Sequence, residues 1–230
     1  MNELVRGHTF RRYDGELSSL HLLVSEMGVV VVDQLVAALD AFSTQNVNAA
    51  RKVMDDDILV DRMEVSGDAE IIRVISRNCP MASDLRLVIT VSKSISDLEK
   101  IGDEAVRIAA ILLDIHSAGQ GSMNTELAQE LREVGQLALE NLKSALALFE
   151  SWNEEQALRV IDGHRQMDSQ FQQELNRAMT CIMEDRVELG LAVSFVLVAK
   201  SLDRITHHAL NLAEYAIFEF KGVDLRVMQP

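Results

Sequence analysis

The sequence predicts an all-α fold made of two tandem three-helix bundles, and three observations support this. Only Pro80 and the terminal Pro230 interrupt the 230 residues, so long helices can form. Apolar residues recur at spacings of three and four, as they do on a helix face that packs against a core. A charged helical segment near Leu98 recurs near Leu202 with similar neighbours. The chain is therefore predicted to use one helical unit twice, giving six long helices.

The first half contains three predicted helices. The first covers residues 16–42, and a polar stretch at 43–46 separates it from the second, at about 47–77. Pro80 marks a boundary, and the third helix follows it with an apolar seam at 87–115. The apolar stripe of the first helix consists of Leu17, Leu20, Val24, Met27, Val31, Leu35, Ala38 and Phe42.

A small, polar, glycine-bearing segment at residues 117–122 is the most linker-like part of the chain. We place the domain boundary there, with a first repeat at residues 1–117 and a second at 118–230. The second repeat is predicted to contain helices at 125–149, about 153–184 and about 187–218.

The two repeats align when matching positions are 104 residues apart, as Leu98 and Leu202 are. Charged positions then coincide along with the apolar ones. The matching pairs are Glu99 with Asp203, Lys100 with Arg204, Asp103 with His207 and, at a slightly different shift, Asp57 with His164 and Asp61 with Asp168.

The net charge of −14 argues against nucleic acid or an anionic membrane as a direct partner and favours cations or basic protein surfaces. No apolar run approaches the ~20 residues that span a bilayer, and the N-terminus lacks a signal-peptide core. A soluble, cytoplasmic protein is expected. Cys79 and Cys181 have no CxxC context, so each is expected to be a small buried residue at a helix junction.

Four potential metal ligands share one face of the predicted sixth helix, namely Asp203, His207, Asn211 and Glu214. Oxygen ligands alone would suit magnesium, calcium or manganese, whereas the imidazole of His207 shifts the preference toward zinc, iron, manganese or nickel. Charged residues at such spacings usually form a solvated helix face. Their repetition in both halves favours metal binding.

The matching face of the third helix is poorer in ligands. It carries Glu99 and Asp103, followed by Arg107 and Ala110. Arg107 lies one turn from Asp103, where it can form a helical ion pair and compete with a bound cation. We therefore expect two unequal sites. The second-tier ligand candidates are Asp57, Glu64 and His164.

Catalytic motifs are not recognisable in the sequence. A ferritin-like di-iron site needs Glu-x-x-His pairs, and no histidine here has a glutamate three residues before it. A glycine-rich phosphate loop, a nucleophile elbow and an HExxH motif are also missing. A non-enzymatic protein is expected.

Two segments, Arg-Asn-Cys-Pro-Met-Ala-Ser-Asp-Leu-Arg at 77–86 and Asp-Leu-Glu-Lys-Ile-Gly-Asp at 97–103, resemble the PhoU family of phosphate-signalling proteins. The second half continues the resemblance with Leu-Asp-Arg-Ile at 202–205 and Asn-Leu-Ala-Glu at 211–214. The tail at 218–224 is also similar, so the resemblance spans about residues 10–226.

The resemblance implies a cytoplasmic regulator that represses the phosphate-starvation response when phosphate is plentiful. Such proteins are thought to contact the phosphate ABC transporter ATPase and a sensor histidine kinase, and they commonly form homodimers. Several bind metal clusters through an E(D)xxxD motif in each half. By position, Glu99 and Asp103 match the first motif, and Asp203, Asn211 and Glu214 match the second.

This sequence departs from the family pattern at His207, which replaces the second acidic residue of the motif, and at Arg107 and Ala110. Three alternatives therefore stay open. The chain could be a metal-binding helical protein whose ligand rows are its function, a divergent PhoU paralogue that serves another transporter or kinase, or a purely structural adaptor.

Overall fold

The computed structural model describes residues 11–119, 125–183 and 188–223, and all regular elements in these ranges are helices. The seven helices are α1 (Arg11–Ser43), α2 (Val47–Asp56), α3 (Ile58–Asn78), α4 (Ala82–Ser117), α5 (Thr125–Glu150), α6 (Glu154–Met183) and α7 (Leu189–Lys221). The prediction of an all-α protein with two three-helix bundles is confirmed.

The predicted second helix is interrupted at Asp57, where α2 ends and α3 begins. This position closes a run of three aspartates, a residue type with weak helix propensity. The side chain of Asp57 accepts a hydrogen bond of 2.7 Å from Nε2 of Gln34 on α1. The backbone of Asp57 nevertheless keeps helical angles, with φ of −58° and ψ of −31°, and α2 and α3 together fill the place of one bundle helix.

Local sequence signals explain several helix ends. Oδ1 of Asn46 accepts a hydrogen bond from the backbone N–H of Ala49 and caps α2. Oδ1 of Asn153 caps α6 by accepting from the backbone N–H of Gln156. α7 ends at Gly222, whose φ of 71° is the left-handed conformation that glycine adopts freely.

Cys79 corrects one prediction, because it is exposed and not buried. It ends α3 in the left-handed conformation, with φ of 47°, and its N–H bonds to the carbonyl of Ile75. Pro80 follows directly and cannot continue the helix, so α3 ends at this turn, with Cys79 exposed and Pro80 buried. The side chain of Cys181 lies outside the described residues.

α4 and α7 form the centre of the molecule and run antiparallel, since Arg86 near the start of α4 bonds to the carbonyl of Glu219 near the end of α7. α1 also packs against α5, and each helix gives the other a glycine. A Cβ atom on Gly28 would lie 2.7 Å from Cδ2 of Leu146, and one on Gly135 would lie 2.8 Å from Cδ2 of Leu39. One apolar core therefore extends through both repeats.

Within the described residues, the segment 12–43 is long and apolar enough to span a membrane, with a mean hydropathy of 1.9 in its most apolar part. The core helix of a soluble protein passes the same test. Here Leu20, Val24, Met27 and Val31 of α1 are fully buried in the protein core. Part of the apolar character of α1 is thus used in packing, while Leu22 and Val29 of the same helix are more than half exposed.

Candidate metal-binding sites

The first candidate site is an acidic cluster between α4 and the start of α3. Glu99 and Asp103 of α4 lie close enough to Asp57, Asp61 and Glu64 for these carboxylates to repel one another. Partial burial and this repulsion raise the pKa values of Glu64, Glu99 and Asp103. The structure therefore brings Asp57 and Glu64 beside the two predicted ligands, in a cluster that a cation would neutralise.

Gln34 is a part of this cluster that sequence reasoning missed. Its Nε2 fixes Asp57, while its Oε1 is buried without a hydrogen-bond partner among the described residues. α4 approaches this pair closely at Gly102, where a Cβ would lie 3.1 Å from Oε1 of Gln34 and 3.5 Å from Oδ1 of Asp57. In the sequence, Gln34 could have been noticed as a polar residue next to Leu35 in the apolar stripe of the first helix.

Arg107 differs from its predicted role. We expected an ion pair with Asp103, whereas its guanidinium Nε lies 3.6 Å from Oε2 of Glu104. Arg107 influences Asp103 only as a nearby charge that partly offsets the rise in the pKa of that carboxyl. The arginine is held by Glu104, whose other oxygen binds Arg204 of α7 at 2.8 Å.

The second candidate site lies between α7 and α6. The ring centroids of His207 and His164 are 5.5 Å apart, so the structure brings this second-tier histidine beside the predicted row. Asp203 and Asn211 are half-buried and Glu214 is buried, whereas His207 is exposed. The side chain of Asp168, which matches Asp61 in the repeat, lies outside the described residues.

The two donor sets fit different metals, although neither is preassembled. Across the described residues, no three His, Cys, Asp or Glu side chains are arranged to hold one ion. The first cluster offers only oxygen donors, which suit hard cations such as magnesium or manganese. The second adds imidazole, which suits zinc, iron or nickel. Assignment of Glu99, Asp103, Asp203, His207, Asn211 and Glu214 as ligands stays a prediction.

A polar pair that sequence reasoning also missed joins α4 to α7. Nδ1 of His208 lies 2.9 Å from Oδ1 of Asp97, whose side chain is only 5% exposed. Burial alone would raise the pKa of Asp97, but hydrogen bonds from His208 and Tyr215 and the charge of Lys100 lower it overall. The pair connects the two repeats near the second candidate site, because His208 is next to His207.

Comparisons with known proteins show similarity along nearly the whole chain. The family model described as PhoU domain matches residues 24–112 and 131–216, one match in each repeat. A phosphate-specific transport system accessory protein PhoU homolog from Pseudomonas putida is 31% identical over 226 residues, which is 98% of this chain and 87% of that relative.

Two further proteins are similar over nearly the whole chain. The phosphate-specific transport system accessory protein PhoU of Escherichia coli K12 is 31% identical over 95% of this chain and 89% of its own length. The crystal structure of PhoU from Pseudomonas aeruginosa superimposes with a TM-score of 0.86 at 30% identity, covering 92% of this chain and 100% of that one.

Proposed function

Because the chain belongs to the PhoU family, we propose that it is a cytoplasmic negative regulator of phosphate uptake and of the phosphate-starvation regulon. It acts by contact, as a homodimer, with the ATPase of a phosphate ABC transporter and with a sensor histidine kinase. The observation that carries the proposal is the near full-length similarity to proteins named phosphate-specific transport system accessory protein.

The contact role needs recognition surfaces and a stable scaffold but no reaction chemistry of its own. The core that extends through both repeats supplies a stiff scaffold, since close-packed interiors deform little. The net charge of −14 favours basic surfaces on the partners. Metal ions support this role by neutralising the carboxylates of the two candidate sites. The ligands would be Glu99 and Asp103 in the first site and Asp203, His207, Asn211 and Glu214 in the second.

A deletion strain tests the regulatory role most directly. In high phosphate, loss of the gene should derepress a phosphate-starvation reporter, and the wild-type gene should restore repression. Purified full-length protein should also capture the transporter ATPase and the sensory region of the kinase. Normal repression in the deletion strain, together with capture of neither protein, would refute the proposal.

The 5.5 Å approach of His164 and His207 favours a second candidate function, that of a metal-binding protein whose ligand rows are themselves the function. Metal analysis of purified wild-type protein and of Asp203→Ala and His207→Ala separates the two. Stoichiometric metal that both substitutions remove, with phosphate control unchanged, would favour metal binding. The same variants with altered repression would favour the regulator.

A further inference from the structure

A groove of about 590 Å³ lies between α1 and the junction of α2 with α3, and we call it the junction groove. It forms where the second bundle helix is interrupted at Asp57. Its apolar lining consists of Val30, Ala37, Ala49, Val53, Ile58 and Leu59. The volume is within the range of about 300 to 1,000 Å³ that is typical of ligand pockets.

The lining of the junction groove leaves apolar surface in water. Ile58 is 52% exposed and Leu59 is 49% exposed, although both adjoin the apolar wall of α1. Because both walls are helices and these side chains stay half exposed, the groove is an open trough along the protein surface. A trough of this kind suits the apolar face of a helix.

The rim of the junction groove is acidic. Asp33 on α1 and Asp55 and Asp56 on α2 line it, with Lys52 as the single basic lining residue. All three aspartates are exposed, and within the described part of the chain no ion pair engages them. An apolar trough with uncompensated carboxylates at its edge is complementary to apolar residues flanked by lysine or arginine.

We propose that the junction groove binds a cationic amphipathic helix of a partner protein. The helix places one or two large apolar side chains against Ile58, Leu59 and Val53, and its lysines or arginines face Asp33, Asp55 and Asp56. An anionic membrane is a poor occupant, because the rim would repel its headgroups. The inference rests on the contact role proposed above and adds the chemistry of the partner segment.

Binding to a defined peptide tests the junction groove. The probe is a 14-residue amphipathic helix of leucine and lysine with one tryptophan, titrated into the full chain in EDTA and followed by tryptophan fluorescence. A second peptide with glutamate in place of lysine controls for apolar binding alone. The lysine peptide should bind, and the glutamate peptide should bind at least about tenfold more weakly.

Matched variants distinguish peptide binding in the junction groove from general attraction to the acidic surface. Asp33→Asn/Asp55→Asn/Asp56→Asn should weaken the lysine peptide about tenfold, whereas Asp114→Asn/Glu140→Gln/Glu150→Gln, the same charge change elsewhere, should leave it within about twofold. Ala37→Phe should weaken binding by filling the trough without changing any charge. Leu59→Ser does the same by removing an exposed contact, and circular dichroism verifies that each variant is folded.

Several outcomes would overturn the inference. Equal losses in the two triple variants would show non-specific attraction, and unchanged binding by both Ala37→Phe and Leu59→Ser would place the peptide elsewhere. A groove filled by a second copy would give no peptide binding and a dimer that Ala37→Phe dissociates. Phenethylammonium binding as tightly as the peptide would make the groove a small-molecule site. Peptide affinity is measured without transporter or kinase, so its failure is distinct from failure of the regulatory phenotype.

Discussion

Asp97 of α4 and His208 of α7 are joined by a hydrogen bond of 2.9 Å that crosses from the first repeat to the second. A carboxylate accepts only, so Nδ1 of His208 is the donor. Asp97→Ala should destabilise the protein by about 3 kcal/mol, because it leaves a half-buried imidazole without its acceptor. Urea unfolding measures the change, and Asp114→Ala, at an exposed position of the same helix, should stay within about 0.5 kcal/mol.

The same carboxylate predicts a pH dependence of stability. The pKa of Asp97 is lowered in the folded protein by His208, Tyr215 and Lys100, which together outweigh its burial. Its stabilising contribution is therefore present above the unfolded value of about 3.9 and is lost as the pH falls through the lower folded value. Between about pH 5 and pH 2, the unfolding free energy should fall more steeply with decreasing pH for wild type than for Asp97→Asn. Identical slopes would contradict this role.

The acidic cluster should respond in the opposite sense. Burial and the neighbouring Asp103, Glu64 and Asp61 raise the pKa of Glu99, so stability is lost as the pH rises from the unfolded value to the folded one. In EDTA at neutral pH, Glu99→Gln should stabilise the protein by about 0.5 kcal/mol. Added manganese should raise the melting temperature of wild type more than that of the variant. A variant less stable than wild type in EDTA would be inconsistent with repulsion.

The two candidate metal sites should be separable by histidine substitution. His207→Ala should abolish zinc or nickel binding at the second site, His164→Ala should weaken it, and manganese binding at the first site should remain. His116→Ala, an exposed histidine in the last turn of α4, is the matched control. Isothermal titration calorimetry reports both affinities. Retention of zinc by the double variant would exclude these imidazoles as ligands.

Packing between α1 and α5 predicts a compensating pair of substitutions. Gly28→Val places methyl groups where Leu146 already packs, so it should cost about 2 kcal/mol. Leu146→Ala in the same chain should recover part of that loss, giving a favourable coupling in a double-mutant cycle. Gly15→Ala, which meets nothing within 4 Å, should be neutral or slightly stabilising. Strict additivity would contradict direct contact.

The bundle architecture could be predicted because apolar spacing reports directly on which helix face is buried. Every apolar residue named in the stripe of the first helix is buried in the structure. The one-residue interruption at Asp57 could not be predicted in this way, because the backbone there keeps helical angles and the apolar spacing continues across it. A continuous apolar pattern is also compatible with an uninterrupted helix.

The sequence identified residues of metal-binding type, but it did not show which residues from different helices lie beside one another. Repeat alignment identified Asp57 and His164, yet only packing shows Asp57 beside Asp103 and His164 beside His207. The pairing of Arg107 with Glu104 was missed because two carboxylates lie within one turn of that arginine. Sequence spacing alone does not distinguish them, whereas the approach of Arg204 from α7 favours an orientation of Glu104 toward both arginines.

The reciprocal leucine and glycine contacts between α1 and α5 bear on how the chain can be divided. Cutting the chain within residues 120–124 would divide it into two fragments. The first would expose Leu39 and the space beside Gly28, and the second would expose Leu146 and the space beside Gly135. Each fragment would expose the shape that the other lacks. The halves are therefore suited to complementation, assembling as separate polypeptides when synthesised together and aggregating when synthesised apart.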